Sequence, residues 1–132
     1  MRFLLDTHSF LWAGFNPEKL SRHVRENIGH PQNDVFISVV TFWEVALKYS
    51  LGKIELSGIK PDDLPTLAGE MGFEVLEMGQ EEVASFYSLP RLSHKDPFDR
   101  MIIWQAIRLK LTLISKDRSF KEYQKYGLKI QW

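Results

Sequence analysis

Five short apolar runs punctuate this chain, and a helical pattern separates nearly every pair of them. The runs are RFLLD (2–6), DVFISV (34–39), FEVLEM (73–78), LTLIS (111–115) and LKIQW (128–132). Segments of this length, rich in β-branched and aromatic residues and bounded by turn formers, read as buried strands. The helical patterns cover 17–28, 40–51, 61–72, 81–89, 97–110 and 119–126. Asn16-Pro17 supplies a cap and a first-turn proline for the first, and Gly29 its stop. Gly52 suits a left-handed end for the second. Strands alternating with helices specify an α/β fold with a central, mainly parallel sheet and helices on both faces. Such a sheet binds ligands outside the carboxyl ends of its strands, at the switch in strand order.

A chain of 132 residues without cysteine fits one domain, 1–132, that needs no covalent staple. The missing cysteines exclude a disulfide frame, a thiolate metal site and a cysteine nucleophile, and they fit a cytoplasmic location. Asp6 and His8 interrupt the first apolar run, so neither a signal peptide nor a membrane span is expected there. No glycine-rich phosphate loop or nucleophile elbow is present, and His8, His23, His30 and His94 lack zinc spacing and read as surface or loop residues. The formal net charge of zero argues against a broad nucleic-acid-binding face. Acids gathered in one place would nevertheless leave the rest of the chain with a positive excess.

Four carboxylates stand in otherwise apolar settings. Asp6 follows FLL directly, either as a functional acid or as the cap of a helix beginning near His8. Glu44 lies in VVTFWEVALKYS, a helix apolar nearly all round and therefore expected to be buried. Lys48, four residues on, offers an ion pair, but an exposed pair contributes only about 0.3–0.5 kcal/mol, too little to explain a buried charge. In DPFDR, Asp96 is assigned to capping and Asp99 to metal, since one acid suffices to cap. Asp117 follows LTLIS, and Ser119 with Glu122 forms a capping box that leaves it spare. Acids brought together repel one another, and a divalent cation such as Mg²⁺ or Mn²⁺ relieves the repulsion. Thr7 is placed to orient Asp6 or a metal-bound water. Lys48, Arg100, Lys116 and Arg118 flank the acids as candidate contacts to backbone phosphates.

In the segments DTHSFLWA (6–13), SVVTFWEVALKYSLGKIEL (38–56), HKDPFDRMIIWQA (94–106) and LISKDRSFKEY (113–123), the chain resembles PIN-domain ribonucleases, specifically the VapC-type toxins of toxin–antitoxin pairs. The resemblance covers essentially the whole sequence. It implies a three-layer α/β/α sandwich around a five-stranded sheet, with metal acids at Asp6, Glu44, Asp99 and Asp117 and a companion acid at Asp96. It also implies Mg²⁺ or Mn²⁺, cleavage of RNA, a homodimer and a cognate antitoxin.

Three other classes compete. A PIN nuclease outside a toxin–antitoxin pair would act on structured RNA or DNA. A phosphotransfer enzyme would want a second acid two residues after Asp6, where His8 stands, and a receiver module would want paired acids. A non-catalytic binding module would have no use for the complete acid set.

Overall fold

The computed structural model describes residues 1–132 and contains the five strands the sequence announces. They are β1 (Arg2–Leu5), β2 (Asp34–Ser38), β3 (Glu74–Leu76), β4 (Thr112–Ile114) and β5 (Lys129–Gln131). Their order is β3-β2-β1-β4-β5, and every neighbouring pair is parallel. β1 is central and its side chains alternate between the two faces. Phe3 and Leu5 enter one core with Val35, Ile37 and Ile114, while Leu4 enters the other with Leu113, Ile102 and Ile103. The sheet is thus filled from both sides, as a parallel sheet requires.

The helices are α1 (Thr7–Phe15), α2 (Arg22–Gly29), α3 (Val39–Ser50), α4 (Leu64–Glu70), α5 (Gln80–Ala84) and α6 (Pro97–Leu109). α1, α2 and α4 supply Phe10, Val24, Leu64 and Ala68 to the first core. α6 covers the second core, joined by Phe120 and Tyr123 from a 3-10 helix over Arg118–Tyr126. No helix is long and apolar enough to cross a membrane.

Several sequence expectations are corrected. The helix expected over 17–28 is two elements. Asn16 makes no side-chain cap, a 3-10 turn spans Pro17–Lys19, and Leu20 turns extended and is buried. Ser21 then caps α2 by accepting from the Val24 N–H, and Gly29 stays inside the helix. Burial of Leu20 outweighs continuation of the helix. The 61–72 helix opens as a 3-10 turn over Pro61–Asp63. The 81–89 helix breaks at Ser85, whose hydroxyl donates back to the Glu81 carbonyl. α3 is not buried all round: Glu44 is enclosed, but Trp43, Leu47 and Tyr49 are exposed.

One turn recurs at helix ends. At Gly52, Gly72, Lys110 and Gly127 the backbone is left-handed, with φ of 70°, 81°, 56° and 103°. In each case the N–H of the next residue reaches back to the last helical turn, as Phe73 does to Ala68 and Leu111 to Ala106. After the last three, the following residue is a buried Phe73, Leu111 or Leu128 that leads into a strand. Gly52 therefore ends α3 as its sequence position predicts.

Because β1 feeds both cores, Leu4→Ala and Leu5→Ala should each cost about 2–5 kcal/mol in urea unfolding. A loss confined to one of them would mean that one face is loosely packed.

Candidate active site

All strands being parallel, their carboxyl ends share one edge, and the chain leaves β1 and β4 toward opposite faces there. β1 leads into α1 on the first core, and β4 leads into the 3-10 helix on the second. The resulting crevice is the switch point where α/β sheets bind ligands. Asp6 is the first residue beyond β1 and still pairs through its N–H with the Ile114 carbonyl at 3.1 Å. Asp117 stands three residues beyond β4, and Asp99 sits in the first turn of α6. Asp6, Asp99 and Asp117 line one cavity of about 410 Å³ together with His8, Trp12, Lys116 and Phe120. Glu44 does not line this cavity, although its charge is felt at Asp99. Its buried carboxylate takes a 2.7 Å hydrogen bond from the Thr7 hydroxyl and an ion pair from Lys48.

Each acid has a local partner. Asp6 caps α1 by accepting from the Ser9 N–H at 2.9 Å, the capping role its position offers, and it lines the cavity as well. Thr7 orients Glu44 rather than Asp6. Its single hydroxyl proton goes to Glu44, so Thr41, 3.1 Å away, donates to the Thr7 oxygen. Asp96 caps α6 through the Asp99 N–H, the role assigned to it from sequence. Asp117 is not spare: its Oδ1 accepts from both the N–H and the hydroxyl of Ser119 and caps the 3-10 helix. Glu122 turns instead to Ser93. The short 3-10 geometry puts the Ser119 N–H, two residues on, within reach of Asp117, which displaces the expected capping box.

The basic candidates divide. Lys116 lines the acid cavity, and Lys116 and Arg118 line an adjoining cleft. Lys48 is engaged by Glu44. Arg100 faces away from the acids: it donates to the Leu89 and Pro90 carbonyls and stacks on Phe86 at 4.9 Å. It serves the loop before α6 and is withdrawn as a phosphate contact.

In sequence His94 reads only as a surface or loop residue. Its Nε2 lies 2.7 Å from Asp99 and its Nδ1 3.0 Å from the Ser119 hydroxyl, and Ser119 in turn bonds Asp117. This chain links two of the acids through one imidazole. All three contacts are made at once only if the His94–Asp99 pair holds one proton more than a neutral imidazole and a carboxylate.

A PIN-domain family model matches residues 3–126. This chain is a PIN domain. It is 26% identical over 125 residues to Ribonuclease VapC22 of Mycobacterium tuberculosis, covering 92% of this chain and 91% of that one. Its fold is similar to VapBC2 of Rickettsia felis bound to a DNA fragment from their promoter, with a TM-score of 0.68, 17% identity and coverage of 99% and 98%. DNA-bound VapBC of Salmonella typhimurium gives a TM-score of 0.65 at 21% identity, covering 99% and 97%.

The electrostatics of the PIN domain follow from burial. Desolvation raises the Asp6 pKa against the opposing hydrogen bonds of Ser9 and Ser115. Asp99 is pushed up to about 6 by burial, which outweighs the lowering effect of the His94 hydrogen bond, and repulsion from Asp96 and Glu44 adds to the rise. Burial works against charge on Asp117 too, but Ser119 and the nearby histidines hold it below the usual carboxylate range. Burial also opposes charge on Lys48, yet Glu44, Asp96 and Asp99 raise its pKa.

A carboxyl with a raised folded-state pKa contributes stability below its unfolded pKa and loses that contribution as pH rises through the folded value. Metal-free protein should therefore weaken between about pH 4 and pH 7 from Asp99, by an order of 1–3 kcal/mol. Asp99→Asn should remove this slope. Urea unfolding in chelator at both pH values tests it, and an unchanged slope in the variant would refute the assignment.

Proposed function

We propose that this single PIN domain is a Mg²⁺- or Mn²⁺-dependent endoribonuclease, the toxin of a pair that a cognate antitoxin holds silent. The carrying observation is the cavity at the switch point that Asp6, Asp99 and Asp117 line together, with the charge of Glu44 felt at Asp99. The relationship to a VapC ribonuclease and the fold shared with VapBC assemblies support the reading.

The donor set fits a hard, hydrated cation. The available ligands are carboxylate oxygens, with no thiolate, the His94 imidazole committed to Asp99 and the His8 imidazole stacked on Trp12. No three of the acidic and histidine side chains are drawn tightly enough together to form a ready-made cage. Mg²⁺ or Mn²⁺ keeps several waters and takes few carboxylates, so not every acid need touch the ion. Asp6 and Asp99 are the ligands in this reading, with Asp117 and Glu44 joining directly or through water. When bound, the cation supplies charge stabilisation at the phosphate and lowers the pKa of a bound water.

The protein's own residues set the stage for that chemistry. Thr7 fixes the Glu44 carboxylate relative to Asp6, its chain neighbour. Ser119 and His94 fix Asp117 and Asp99 relative to each other. Lys116 brings a cation to the cavity for a non-bridging phosphate oxygen. An antitoxin Arg or Lys entering the cavity would neutralise the acids as Lys48 neutralises Glu44 from within the chain. The protein acts as a homodimer in this reading.

Purified protein should cut single-stranded RNA with Mg²⁺ or Mn²⁺ and lose activity in chelator. Asp6→Asn and Asp99→Asn should each abolish cleavage. Thr7→Val should reduce it about 10–100-fold, the usual effect of removing a group that orients a ligand. Asp96→Asn should be milder, because Asn still caps a helix. Equal cleavage in chelator would defeat the proposal.

A further inference from the structure

The acid cavity is the middle member of a row of three. On one side it shares His8 and Trp12 with a cavity of about 530 Å³, whose walls include Leu11, Phe15, Ile54 and Leu56. On the other it shares Lys116 and Asp117 with a cleft of about 370 Å³ that adds Arg118, Lys121 and Trp132. A half-apolar hollow with Glu55 on its wall, an acidic one and a basic one thus run into one another, and each adjacent pair shares two residues.

Trp12 is the hinge of this row. It and His8 lie one helical turn apart on α1, with ring centroids 5.7 Å apart and planes inclined by 29°. Trp132 meets the indole edge-on at 5.8 Å. The ammonium groups of Lys19 and Lys116 each lie 6.0 Å from the indole centroid, at the outer reach of a cation–π contact. Trp12 is half-buried and His8 exposed, so the pair is held by the core yet open to a ligand.

Resting on the nuclease reading above, we propose that Trp12 and His8 form a base-stacking subsite next to the scissile phosphate. A single-stranded RNA lies along the row. One unpaired nucleobase packs against Trp12 and His8 in the half-apolar cavity, and its phosphate reaches the acids. The following phosphates run past Lys116, Arg118 and Lys121. Lys19 and Lys116 favour a polyanion over an apolar peptide as the occupant, because they set positive charge beside the aromatic surface. Alternating stacking platforms and cations is how single strands are held without base pairing. A base paired in a duplex has no free face to offer, so the subsite selects unpaired RNA.

The experiment perturbs the base and the ring together. Abasic nucleotides are walked through a short single-stranded RNA, and binding to the Asp99→Asn protein is followed by fluorescence anisotropy, with cleavage measured in the wild type. One abasic position beside the cut should weaken binding about 5- to 150-fold, the range measured for single stacked bases. Trp12→Ala should weaken the intact RNA by a similar factor and make that abasic position neutral. Trp12→Phe, which keeps a ring, should restore most of the affinity and guards against a folding defect. KM should rise in Trp12→Ala more than kcat falls. Cleavage with no sensitive abasic position, or with abasic and Trp12→Ala effects that simply add, would overturn the subsite and leave the nuclease intact. A wild type that neither binds nor cuts single-stranded RNA would overturn both.

Discussion

The rest of the site depends on the cost of keeping several carboxylates out of water beside one another. A parallel sheet delivers its strand ends to one edge, so acids placed just after β1 and β4 and at the start of α6 must meet there. Without a cation each acid is stabilised separately, by Ser9, by Lys48, by His94 or by Ser119. These partners are local and individually weak, and they stand close enough to yield. The edge is a balance of repulsions that a doubly charged ion would settle at once.

Much of this was readable from residue pattern. Strand positions follow from apolar runs, and the left-handed end of α3 from Gly52. The acids could be singled out because a charge beside a buried strand needs a reason. What escaped were decisions made by tertiary contacts. Leu20 breaks an apparently continuous helical pattern because the core accepts its side chain. The Asp117 cap replaces the Ser119–Glu122 box because the segment winds as a 3-10 helix. Periodicity carries no signal for either.

His94 marks a different limit. It opens the segment HKDPFDR but has no zinc spacing, and its position five residues before Asp99 suggests only a loop. Its role arises because that loop folds back against Ser119 and Phe120, whose ring it meets edge-on at 5.0 Å. Arg100 shows the converse. Sequence proximity to Asp99 made it a phosphate candidate, but helical geometry turns it toward Phe86 and the loop carbonyls. Adjacent helical residues do not share a face.

The left-handed turns at Gly72, Lys110 and Gly127 all lie at the entry to a strand, on the sheet edge opposite the acids. Chemistry and chain reversal are thereby assigned to different ends of the molecule. Drift at the reversal end can alter stability without touching the cavity. Lys110 holds a conformation that costs a side-chain-bearing residue about 1 kcal/mol relative to glycine. The protein therefore carries a reserve of robustness that selection could draw on at no catalytic expense, one turn at a time.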